Sequence, residues 1–269
     1  MGNMNRKAWF YLIVLFVAAF FEQSGNTQDT LWNQTDSEGR KQGYWKKFYP
    51  DTSLQYIGFF CNGIPVGIFT RYYENGKIMA VMNHNKDGIH SFAELFYQND
   101  TLAANGPYYR QAKDSIWNYY SYYTGALTFR ENYVRGKKEG YSYLYHPSGT
   151  LAELQQWKDN LRTGKWIQYY EDSTLRQESE YINGDLHGRY VLYSIKGKIL
   201  IEGNYISGNM DGIWSFYNDN GQLEYDLTYR NGVNLDEEEY QRRALEYMKQ
   251  LEDSAGKIPE PDINNFLDR

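Results

Sequence analysis

Apolar and aromatic positions along this chain recur with a period of 24 residues. A frame set on Gly43, Gly67, Ser91, Ser115, Gly140, Gly164, Gly188 and Gly212 advances by 24 each time, except for one step of 25. Five positions after each anchor stand Phe48, Tyr72, Phe96, Tyr120, Tyr145, Tyr169, Tyr193 and Tyr217, all of them aromatic. Two positions after it come Trp45, Phe69, Ala93, Trp117, Ser142, Trp166, Tyr190 and Trp214. With one extra residue granted to the fourth unit, a column of Leu or Ile follows at offset eleven and a column of rings at offset seventeen, Phe60 to Tyr229. Self-similarity at a fixed spacing marks a stack of like units.

Each period resolves into two strands and two turns. In the sixth unit Lys165 to Tyr170 reads as a strand, Asp172-Ser173-Thr174 as a turn, Leu175 to Ile182 as the returning strand and Asn183-Gly184 as the second turn. Asn-Gly between apolar runs is a strong hairpin signal, because both residues tolerate positive φ. The second strand alternates with period two: in the last unit Leu223, Tyr225, Leu227 and Tyr229 face one way, and Glu224, Asp226 and Thr228 the other. The reading is all-β, an elongated antiparallel β-meander of about eight 24-residue hairpins over residues 43–235. The offset-five rings, Phe48 through Tyr217, are expected to form its repeat core. A stack of this kind needs its ends covered. Over residues 236–252 the period turns helical, with Tyr240, Ala244, Tyr247, Met248 and Leu251 on one side, which predicts a C-terminal capping α-helix packed across the last hairpin. Residues 253–269 read as a flexible tail and 22–42 as a polar lead-in. The third and fourth units, with Ser91 and Ser115 in place of Gly, are expected to be irregular.

Residues 1–21 follow a different logic. Arg6 and Lys7 precede an unbroken apolar run from Ala8 to Phe21, and polar residues follow at once. That is the form of a secretory signal peptide, shorter than a span of about 20 residues, with an uncleaved N-terminal anchor as the alternative. The expected location is therefore exported: periplasm, cell surface or secreted. The formal charge of −6 becomes −8 without Arg6 and Lys7, which disfavours a nucleic-acid partner. A single cysteine, Cys61, excludes an internal disulfide and reads as a half-buried strand residue. The four histidines, His84, His90, His146 and His187, occupy repeat positions, and no phosphate loop, nucleophile elbow or zinc-protease motif is present. Neither catalytic nor metal-binding residues are expected, and no cofactor. The chain is read as no enzyme.

The columns resemble the MORN repeat variant found in bacterial proteins of the YwqK-type antitoxin-like group. The match is seen in Gly164-Lys-Trp166-Ile-Gln-Tyr169-Tyr170 with Leu175, Tyr181 and Asn183-Gly184, and again from Gly212 to Gly232. The resemblance implies a meander of hairpins and carries over no catalytic set; such repeats serve as scaffolds. The leading expectation is a protein-binding scaffold of the bacterial cell envelope whose partner is another protein. The alternatives are a carbohydrate- or peptidoglycan-binding module and an antitoxin-like neutraliser of a toxic protein. For the glycan reading the candidate binding residues are an aromatic ladder, Trp45, Trp117, Trp166 and Trp214 with Tyr49, Tyr73, Tyr97 and Tyr170. A membrane would be met only through an uncleaved N-terminal segment.

Overall fold

The computed structural model describes residues 31–254. The expected leader and most of the expected tail lie outside the described residues. Eight consecutive hairpins are formed among the described residues, from Lys41–Phe48 with Leu54–Cys61 in the first unit to Asn209–Tyr217 with Leu223–Arg230 in the last. Every strand pairs antiparallel with its neighbour in sequence, and all belong to one open sheet. The all-β meander is therefore as expected.

Two kinds of turn build the period. Within a unit, the chain reverses through a residue at positive φ, held by Gly76, Gly149, Gly197 and Gly221 and, at φ between 67° and 72°, by Thr52, Asp100 and Ser173. Between units, Asn-Gly and equivalent pairs place two successive residues at positive φ, as in Asn183 (52°) and Gly184 (98°). That is the conformation whose twist matches two antiparallel strands.

Each hairpin also carries a bulge that period-two reasoning did not anticipate. In the last unit Phe216 pairs with Tyr225, yet Tyr217 pairs with Leu223, so Glu224 is extra. The same skip precedes Phe48, Tyr72, Phe96, Tyr145, Tyr169 and Tyr193. A bulge breaks the alternation of faces. Leu223, expected to share a buried face with Leu227, is 55% exposed, while Leu227 is 2% exposed.

Both ends of the sheet are covered. At the first, Gln34–Thr35 pairs with the opening strand and the Asn33 N–H donates to the Tyr44 carbonyl at 2.9 Å. At the last, Val233–Asn234 folds back on the final strand, and the helix Glu237–Ser254 follows. Glu237, Glu238 and Glu239 occupy its first turn, where the helix dipole favours negative charge. The helix leans on the last hairpin through Arg243, whose guanidinium lies 4.6 Å from the Tyr225 ring and donates to the Glu224 carbonyl. Its contact ends early: Tyr240, Tyr247, Met248 and Leu251 are exposed. The apolar spacing that predicts the helix thus describes a face covered only near its start.

Candidate functional site

Cross-strand partners share a face, so the pairing register identifies the two surfaces. Offsets two and seventeen fall on one of them, the ring face. Trp45, Phe60, Phe69 and His84 follow one another at centroid separations of 6.2, 5.8 and 6.2 Å. Tyr190, Tyr205, Trp214 and Tyr229 repeat the zigzag at 5.7, 5.0 and 6.3 Å. Close approach depends on small residues opposite the rings: a Cβ on Gly106 would lie 2.5 Å from the Trp117 ring, and one on Gly203 2.2 Å from Trp214. The indole N–H groups of these two tryptophans donate to the carbonyls of Pro107 and Asn204 at 2.8 and 3.2 Å.

Burial is uneven in both the expected ladder and the expected core. Trp117 is fully buried and Trp214 3% exposed, while Trp45 and Trp166 are half-buried, so the four do not form an open row. Tyr49, Tyr73, Tyr97 and Tyr170 turn their hydroxyls inward and donate to the carbonyls of Tyr72, Phe96, Tyr120 and Tyr193 at 2.7–3.1 Å. Each of these bonds ties one unit to the next. Of the offset-five column only Phe96 is buried; Tyr72, Tyr120, Tyr145, Tyr169, Tyr193 and Tyr217 are half-buried and Phe48 is exposed. Tyr193 and Tyr217 donate to Glu178 and Glu202 across the opposite face, at 3.2 and 2.7 Å. Alternation is the physical reason, since offsets two and five lie three residues apart on one strand and so fall on opposite faces.

Charge enters the ring face at the second residue before four of the eight anchors. Lys41 lies 4.4 Å from the Trp45 centroid and 4.8 Å from Phe60. Lys113 lies 4.7 Å from Trp117, Lys138 4.7 Å from Trp157 and Arg162 5.3 Å from Tyr181. Near the middle of the sheet the buried Glu131 accepts from the Tyr133 hydroxyl and pairs with Lys138, and Lys113 donates to the Tyr119 hydroxyl at 2.7 Å. Burial raises the Glu131 pKa, but Lys138 and Tyr133 outweigh it and hold the carboxyl below its ordinary value. Burial and the bond to Glu131 push Tyr133 up to about 12. Farther along, Gln155 Oε1, Gln177 Nε2 and Ser179 Oγ are buried without a hydrogen-bond partner among the described residues.

The histidines are scattered. His90 Nδ1 is 2.7 Å from Asp87, His146 Nε2 is 3.0 Å from the Tyr169 carbonyl oxygen, and His187 accepts from the Ser207 N–H. Cys61 is exposed rather than half-buried, because the strand it ends leaves it beside the turn. Among the described residues no group of three His, Cys, Asp or Glu side chains is placed to hold a metal ion.

The opposite, outer face holds a feature that sequence reasoning missed. At offset one stand Tyr44, Ile68, Phe92, Ile116 and Tyr141, which are 50%, 55%, 45%, 51% and 43% exposed. Phe59 extends the row, its ring 5.1 Å from Tyr44. In the sixth and seventh units the column changes to Lys165 and Arg189, facing Glu180 and Asn204, and Arg189 pairs with Glu202 at 2.9 Å. The signal was present in the sequence: offset one is apolar in the first five units and in the eighth, where Ile213 stands.

The family model of the MORN repeat variant matches residues 65–86, 138–159, 162–183 and 210–231. No curated protein matches the chain. Among solved structures, a mutant of S. aureus TarM crystallised in complex with fondaparinux, alpha-GlcNAc-glycerol and UDP matches with 11% identity and a TM-score of 0.18. That match covers 45% of this chain and 19% of the other. The second, fifth, sixth and eighth hairpins coincide with the matched segments, and the chain thus carries the MORN repeat variant at four places.

Proposed function

We propose that this chain is an exported, non-enzymatic scaffold of the bacterial cell envelope that binds a partner protein through the outer face of its first five units. The observation that carries the reading is the exposed row of Tyr44, Ile68, Phe92, Ile116 and Tyr141. Exposed apolar residues that recur along one face mark an interaction site more often than singly scattered ones do. The row lies on a sheet whose other face already holds the core, so it is spare to folding. Aromatic and aliphatic anchors aligned on a rigid sheet suit a flat protein surface, with Lys46 and Glu94 beside them supplying a polar surround.

The export half of the proposal rests on the basic head and apolar run of residues 1–21. The glycan alternative relied on an open row of tryptophans, two of which are buried. The test compares the full chain with an Ile68→Lys/Phe92→Lys variant in partner capture from the native host, with fractionation to locate the protein. A partner held by the wild type and lost by the variant, with circular dichroism unchanged, supports the reading. Partners retained by the variant, or a purified chain that turns over a substrate, would overturn it.

A further inference from the structure

In the ring column at offset seventeen, residues are backed by the strand that follows. Phe60 pairs with Pro65, Tyr108 with Lys113, Tyr133 with Lys138, Trp157 with Arg162, Tyr181 with Leu186 and Tyr205 with Met210. At three of these six positions the backing residue is a long cation whose head lies over the rings, and Lys41 lies over Trp45 and Phe60 in the same way. His84 breaks the rule. Its partner is Ser91, the residue that replaces the usual glycine, and the pairing from Ala80 to His84 runs without the shift seen at the other junctions. The residue that should back it, Ile89, is displaced into the turn. A groove of about 480 Å³ opens there, lined by Pro65, Met82, His84, Ile89, Ser91 and Tyr108 among others.

We infer that this groove receives a lysine or arginine side chain from the partner protein, standing where the chain's own Lys or Arg lies in neighbouring units. The inference deepens the scaffold reading and rests on it. Pro65, Met82 and Ile89 offer an apolar bed for the stem, and the Tyr108 and His84 rings a surface for the head. The His84 ring meets Phe69 edge-on and its nitrogens form no hydrogen bond among the described residues; burial lowers its pKa, which favours the neutral imidazole, able to accept. Asp87, bound to His90 beside the groove, is held as a carboxylate by the backbone and ring N–H groups of His90 and the N–H of Ile89. The adjoining hollow toward the first unit is lined by Lys41 and Arg71, so the third-unit side is the part open to an outside cation. The net charge of −6 favours cationic partners in general. The groove lies at the turn ends of the hairpins, between the turn residues Gly63, Ile64 and Gly88 and the ring-face residues Met82, His84 and Tyr108.

The experiment titrates the full chain, labelled in its His and Tyr rings, with Nα-acetyl-arginine amide and, separately, with Nα-acetyl-norleucine amide, followed by NMR. The expected result is saturable shifts of the His84 and Tyr108 rings with the arginine probe, at least several-fold weaker with norleucine. Ile89→Lys, which supplies an internal cation, should abolish the response, and Tyr108→Leu should weaken it. Absence of shifts, equal response to norleucine, or an undiminished response in a folded Ile89→Lys chain would overturn the inference. Because the probe reports on the groove alone, those failures leave the outer-row reading standing. Partner capture retained by the Ile68→Lys/Phe92→Lys variant, with saturable probe binding at the groove, marks the opposite case.

Discussion

At the scale of single residues, the architecture turns on pairs of large and absent side chains. Trp214 fills the space that Gly203 leaves, and Trp117 the space over Gly106. Truncating such a ring removes its transfer energy and leaves a cavity. Trp214→Ala should therefore cost about 3–5 kcal/mol in denaturant unfolding, against under about 1 kcal/mol for Phe48→Ala. The buried polar atoms behave in the opposite way. Ser179 Oγ has no hydrogen-bond partner among the described residues, so Ser179→Ala should be neutral or stabilising by up to about 1 kcal/mol. Glu131 sets a pH dependence. Its folded pKa lies below the unfolded value, so its contribution is present above about pH 4.3 and is lost as pH falls through the folded value. Denaturant midpoints measured from pH 6 down to about 3 should fall more steeply in the wild type than in Glu131→Gln, whose midpoint starts lower because Lys138 loses its partner.

At the scale of elements, the unit is a hairpin held to the next by more than its ladder. The hydroxyls of Tyr49, Tyr73, Tyr97 and Tyr170 cross from one unit to a carbonyl of the following one. Tyr73→Phe keeps the ring and removes the bond, and should cost about 1 kcal/mol of unfolding free energy. The hairpins, their two turns and the helical change after Asp236 were legible in the sequence because each leaves a local signature: paired residues tolerant of positive φ, period two, and spacing by three and four. The exposure of Leu223 at offset eleven was not legible. Alternation was carried straight through from offset eleven to seventeen, and the extra residue at offset twelve, Glu224 in the last unit, has no compositional mark, so Leu223 was expected beside Leu227. The outer row at offset one was legible as a column of apolar residues but was not singled out. Ser91 stood out as a departure, and the structure gives that departure a consequence in the groove beside His84.

At the scale of the whole molecule, the sheet has one face closed by its own rings and one face that carries apolar residues without covering them. Those residues do not fold the chain, since the core and the inter-unit bonds lie elsewhere. This division is the basis of the proposed scaffold role. It is tested most directly by hydroxyl-radical footprinting of the free full-length protein, with modification rates read residue by residue. The account predicts fast modification of Tyr44, Phe92 and Tyr141 and strong protection of Trp117 and Trp214, despite the higher intrinsic reactivity of tryptophan. Trp117 and Trp214 modified as readily as Tyr44 would contradict it.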